Sequence, residues 1–278
     1  VWKMVELNNQ LSSFGNNPLV KAISQTVSIG AGLYLVLAAG LLVPVLAFVV
    51  GDDAPTRAGF RMIGAHTDSP NLRAKPLADV HKNGYRQVGV EPYGGVIYAS
   101  WLDRDLSLAG RVTVRRGLAI VESRLVDLER PVARVPHLAI HLNRGVNTEG
   151  LVLNAQKHLV PLLGVGEKAE LAAIVAEALG EDKNDVLGFD LMLYDTQRAA
   201  LGGLSGELLF ASRLDNLASC HAATSALIAS LVRPTAATKL IVLYDHEECG
   251  SRSAVAVSYT HLRAHETKAN LVCRLLLE

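Results

Sequence analysis

The stretch Lys239-Leu240-Ile241-Val242-Leu243-Tyr244-Asp245-His246-Glu247-Glu248-Cys249-Gly250-Ser251 frames the reading of the whole chain. Its first six residues (KLIVLY) form a short apolar run of the kind that fills a buried strand in an α/β sheet. The run then ends abruptly in four ionisable residues. Adjacent like charges repel one another and desolvate poorly, so packing alone gives no reason for Asp-His-Glu-Glu at a strand end. A cation resolves the conflict, with one glutamate binding it and the other free to move protons. The segment lacks the second histidine of His-Glu-x-x-His, which excludes the helical zinc-protease motif.

Two further segments have the same character. Gly59–Ala65 (GFRMIGA) reads as a strand running into His66-Thr67-Asp68-Ser69-Pro70. On an extended backbone His66 and Asp68 share a face, so the carboxylate can accept one imidazole N–H and fix the tautomer of a metal-bound ring. Arg213-Leu214-Asp215-Asn216 precedes an apolar helix expected over Asn216–Val232 and ended by Arg233-Pro234. There Asp215 or Asn216 caps that helix, or Asp215 serves as a ligand. All three segments are expected at carboxyl ends of strands, where open α/β sheets build their sites. An aspartate offering both oxygens can bridge two divalent ions about 3.5–4 Å apart, as in two-metal hydrolysis.

Between these segments the chain changes character. Short β-rich runs (Tyr85–Val90, Arg111–Val114, Leu118–Val121) alternate with Gly, Asn and Arg-Gly turns, with one helical piece at Lys168–Leu179. The simplest architecture is an α/β domain split in sequence, with a β-rich module inserted between its halves. The N-terminal residues read as a helix starting near Leu19. Gly32–Val50 is apolar and uncharged, long enough by hydropathy to span a bilayer. Its Gly and Pro44 punctuation fits two buried strands instead, Leu33–Ala38 and Val43–Val50.

Composition narrows the function classes. The 278 residues carry 27 Lys+Arg against 27 Asp+Glu, a formal net charge of zero, which argues against general nucleic-acid binding. Charged residues at 19% and hydrophobic ones at 50% exclude a disordered chain. Cys220, Cys249 and Cys273 are odd in number and unpatterned, and with no secretory leader they read as reduced thiols of a cytoplasmic protein. Residues 257–278 do not continue the α/β pattern and resemble a translated adaptor. They are expected to be a cloning scar, which makes the i, i+4 spacing of His261 and His265 coincidental.

Five segments together carry a family resemblance: GAHTDSPNLRAKP (Gly64–Pro76), Tyr93-Gly94-Gly95 followed by WLDRDLSLAGRV (Trp101–Val112), HLAIHLNR (His137–Arg144), SRLDNLASCHAA (Ser212–Ala223) and YDHEECGSRS (Tyr244–Ser253). In this order they resemble the M18 zinc aminopeptidases, the aspartyl aminopeptidase-like enzymes. The resemblance implies a phosphorylase/hydrolase-like α/β/α catalytic domain split by an inserted β-rich dimerisation domain, in large homo-oligomers. The domains would be 1–75 and 208–256 for the catalytic part, 76–207 for the dimerisation part, and 257–278 for the scar.

By the same resemblance, His66 binds one zinc, Glu248 binds the other, and Asp215 bridges both. Asp68 orients His66, and Glu247 is the general base. His141 reaches from the dimerisation domain into a neighbouring subunit's site; on the residues alone it reads as a satisfied β-sheet histidine. Asp103, Arg104 and Asp105 read alone as a solvated charge run. The implied activity is release of the N-terminal residue from peptides with a free N-terminus, with no membrane partner. The family's two further zinc ligands, an Asp and a His, have no counterpart here, so the expected rival is a non-catalytic assembly fragment.

Overall fold

Among the described residues, strands outnumber helices. The computed structural model describes residues 33–36, 45–117, 120–166, 170–232, 235–251, 253 and 256. The helix expected near Leu19, the Arg233-Pro234 break and the segment 257–278 lie outside the described residues. The chain divides into two units, one of residues 1–68 with 213–278 and the other of Ser69–Ser212.

The first unit holds a four-stranded mixed sheet in the order β1-β2-β12-β3. Its strands are β1 (Leu33–Val36), β2 (Val45–Val49), β3 (Phe60–His66) and β12 (Thr238–Tyr244). The apolar block therefore supplies strands, although β2 is mostly half-buried and only Ala47 is fully buried. No helix among the described residues is long and apolar enough to cross a membrane. β12 runs antiparallel to β2 and parallel to β3, with Tyr244 beside His66. The two strands thus end at the same edge, which brings the segments after them together.

The sixteen-residue helix α2 (Leu214–Ala229) covers one part of this sheet, packing Ala223 and Leu227 against Ala47 and Ile241, and Cys220 against Ala65 and Leu243. A single helical turn of the 3₁₀ type, Ser230–Val232, follows it. β3 is outermost among the described strands of the sheet, and Phe60, Met62 and Ile63 on it are 58%, 45% and 48% exposed. The expected strand reading of both KLIVLY and GFRMIGA is met, but only the former is buried over most of its length, from Ile241 to Tyr244.

The second unit is built on a six-stranded antiparallel sheet in the order β7-β6-β9-β4-β5-β8. Its strands are β4 (Asn71–Lys82), β5 (Tyr85–Tyr93), β6 (Leu106–Arg115), β7 (Val121–Asp127), β8 (Leu162–Val165) and β9 (Val186–Asp195). β10 (Ala200–Gly202) and β11 (Leu208–Phe210) form a separate hairpin. Helix α1 (Leu171–Leu179) buries Leu171 and Val175 in the same core as Leu72, Leu108, Val112 and Leu193. The Asp79 carboxylate accepts the Leu171 N–H at 2.7 Å, and Gly180 ends the helix in the left-handed conformation at φ 68°. Leu108 is 1% exposed, so Leu108→Ala leaves a cavity that should cost about 2–5 kcal/mol, read from the denaturant midpoint of this unit.

The two compact units meet at Asp68/Ser69 and Ser212/Arg213. Pro76 falls inside β4, and residue 208 begins β11. Both Pro76 and the Leu208–Phe210 run look like breaks or fresh starts in sequence. In the fold each belongs to a strand whose partner is local.

Candidate metal centre

His66 closes β3, and the turn carrying Asp245–Glu248 follows β12, so the parallel pairing places both at one sheet edge. The Thr67 N–H and hydroxyl both donate to the Tyr244 carbonyl, at 2.8 and 3.0 Å, which latches the two strand ends together. On the other side, the buried Cys220 thiol of α2 donates to the His66 carbonyl at 3.0 Å. His66 itself is 8% exposed.

The imidazole Nδ1 faces Asp68, 3.3 Å from Oδ1 and 3.1 Å from the backbone oxygen. A proton on Nδ1 serves both contacts and leaves the Nε2 lone pair free, the tautomer a metal-bound histidine needs. Nε2 lies 3.4 Å from Asp215 Oδ1 and 3.9 Å from Glu247 Oε2. Ligand atoms of His66, Glu247 and Glu248 all fall within 4.8 Å of one another. One imidazole nitrogen and several carboxylate oxygens make a donor set that suits zinc. The residues present therefore fit a metal ion.

Electrostatics points the same way. Burial, and after it the Glu247 carboxylate, pushes the Glu248 carboxyl above the ordinary range, with Asp215 and Asp68 adding and His66 opposing. A raised acid holds its proton more tightly in the folded than in the unfolded chain. Its ionised form therefore costs stability above the folded pKa, and a bound cation or a proton removes that cost.

Asp245 and His246 do not join this group. His246 adopts φ 58°, directs Nδ1 to the Ser253 hydroxyl at 2.6 Å, and sits 3.8 Å through Nε2 from Asp245 Oδ2. Of the four ionisable residues that end the strand, two pair locally and two face His66. Asp215 does not end a strand of the site's sheet, as the sequence suggested. It stands in the non-helical first turn of α2, at φ −83° and ψ 109°, with its side chain 84% exposed. Arg213, not Asp215 or Asn216, occupies the cap position, and no side-chain cap bond is made there.

His141 lies in the second unit, exposed in the 3₁₀ turn Ile140–Leu142 and not in a sheet. The run Asp103-Arg104-Asp105 is not merely solvated. Asp105 pairs with Arg134 at 2.8 Å, Arg104 pairs with Asp195, and Asp103 accepts the His137 N–H at 3.1 Å. Cys220 and Cys249 are both free thiols. Sequence reasoning missed the Thr67 latch and the Cys220 contact. A strand-ending His-Thr and a Cys on an apolar helix face carry no signal of what they touch.

The imidazole and acidic cluster lies at the carboxyl ends of two parallel strands, where open α/β sheets bind their ligands. The family "Aminopeptidase I zinc metalloprotease (M18)" matches residues 25–264, and the chain belongs to that family. It is 49% identical over 216 residues to a probable M18 family aminopeptidase 2 of Pseudomonas savastanoi pv. phaseolicola, covering 75% of this chain and 49% of that protein. Among solved structures it is similar to the Ape4 and Nbr1 complex, with TM-score 0.74 and 36% identity, covering 80% of this chain and 47% of that one. It is also similar to the S. cerevisiae mApe1 dodecamer, with TM-score 0.64 and 26% identity, covering 84% of this chain and 52% of that one. The chain spans about half the length of the curated relatives it matches.

Proposed function

We propose that this chain carries the metal site of a cytoplasmic aminopeptidase that removes the N-terminal residue from peptides with a free N-terminus. The observation that carries the reading is the convergence of His66, Glu247 and Glu248 within 4.8 Å at the ends of adjacent parallel strands. His66 and Glu248 would each hold one of two zinc ions, with Asp215, 3.4 Å from His66, shared between them. Zinc bound there would polarise a peptide carbonyl and make water more acidic.

The chain's own residues supply the remaining chemistry. Glu247, its side chain 46% exposed, takes the proton of the attacking water and returns it to the leaving amine. Asp68 holds the proton on His66 Nδ1, so Nε2 stays a lone-pair donor. Residues 69–212 would serve as the dimerisation domain of a homo-oligomer, in which His141 contributes to a neighbouring subunit's site. The similar S. cerevisiae mApe1 is a dodecamer, and the exposure of His141 leaves it available for such a contact.

A second reading rests on ligand count. His66, Asp215 and Glu248 offer three protein side chains for two ions, whereas each zinc takes about four ligands. On that count the 278 residues alone would act as an assembly fragment that binds zinc weakly. A zinc titration tests the site in either case. Glu248→Gln replaces an anionic ligand by a neutral one and should weaken zinc binding by about tenfold or more. Unchanged affinity in that variant would require the two glutamates to exchange roles.

A further inference from the structure

The geometry points to Asp68 as the residue that positions the Glu247–Glu248 turn directly, a task separate from orienting His66. Its Oδ1 accepts the Glu247 backbone N–H at 3.2 Å, and its Oδ2 accepts the Glu248 backbone N–H at 3.1 Å. One carboxylate, 6% exposed, thus holds two consecutive amides that lie 179 and 180 residues away in sequence. Successive N–H groups pointing the same way form a small positive concavity, and an anion with two oxygens fits it.

The turn needs such a hold. His246 leaves the strand direction at φ 58°, a region that residues other than glycine seldom occupy without support from their surroundings. Upstream, the Thr67 contacts stop at the Tyr244 carbonyl, so they fix the strand end but not the two residues that carry the glutamates. Asp68 links the end of β3 to the backbone of those residues. It therefore sets the distance between His66 and both glutamate side chains from the backbone side. An asparagine at 68 cannot do this, since it has one acceptor oxygen and its NH₂ would face an N–H.

The anchoring itself stands on hydrogen-bond geometry, while its consequence for zinc rests on the metal-site reading above. The experiment is residue-resolved amide exchange on the 278-residue chain, with Asp68→Asn, Asp68→Ala and His66→Ala, followed by zinc titration of each. The Glu247 and Glu248 amides should be protected in the wild type and in His66→Ala. They should exchange at least about tenfold faster in both Asp68 variants, the scale of one charge-assisted bond. The β12 amides should keep their rates, and zinc affinity in Asp68→Asn should fall by about 10–100-fold.

Unprotected Glu247 and Glu248 amides in the wild type would overturn the inference, even if the Asp68 variants do not fold. Equal loss of protection in His66→Ala would also overturn it, because Asp68 would then act only through the imidazole. Faster exchange in Asp68→Asn with zinc affinity intact would make Asp68 an anchor of the turn but not a positioning residue. If the wild type binds no zinc while the exchange pattern holds, the metal-site reading fails and the backbone anchor stands.

Discussion

Glu247→Gln, placed in a full-length M18 chain carrying this site, should retain its metal and lose turnover by about 10²–10⁴-fold, the usual cost of removing a general base. The amide keeps the size of the side chain and its place beside His66, so the site's shape is preserved. What disappears is the carboxylate assigned to take the proton of the attacking water. Glu247 is suited to that role by its half-exposed side chain, whereas Glu248 is more buried and its carboxyl is pushed upward, towards retaining its own proton unless a cation is bound. The loss should fall on kcat with little change in KM, since the base acts in the transition state and not in ground-state binding. Near-normal turnover in this variant would remove the role assigned to Glu247.

The second large effect concerns the 278 residues by themselves, which should hydrolyse aminoacyl reporter substrates at less than about 1% of the rate of a full-length relative. On the proposed reading, two zinc ions would share three protein ligands here, too few to hold them against water and buffer. Asp215, Glu247 and Glu248 then stand as a like-charge cluster around one imidazole. The sheet edge adds a physical liability. β3, outermost among the described strands of its sheet, presents Phe60, Met62 and Ile63 to solvent, which favours association between chains. Side-by-side assays of this chain and a full-length relative, with zinc measured per chain, decide the matter. Comparable turnover by the short chain would show that the ligand count is wrong.

Some of this site was legible in the sequence for a specific reason. KLIVLY is apolar at every position but its first, and only a buried strand accommodates that run, so the charges after it had to sit at a sheet edge. His66 followed by Asp68 likewise announces a ring held by a carboxylate, and the 3.3 Å contact has that form. Asp215 was harder to place. Its neighbours Leu214 and Leu217 carry the pattern of a helix start, and only the backbone shows that its own residue is non-helical. His141 sits among Leu138, Ile140 and Leu142, an alternation that reads as a strand, yet those residues are 59%, 53% and 66% exposed and the turn is 3₁₀. The link from Asp68 to two backbone amides had no signature at all. Amide donors are the same whatever side chain they carry, and 179 residues separate the partners.

His66, Asp215 and Glu248 are the proposed ligands of the metal site. Zinc K-edge X-ray absorption on the 278-residue chain at saturating metal tests this assignment most directly. The account predicts nitrogen and oxygen scatterers only, at about 2.0–2.2 Å, with an imidazole signal that disappears in His66→Ala. A sulfur shell at about 2.3 Å would put zinc on the cysteines. That shell, or an imidazole signal that survives His66→Ala, would contradict the account.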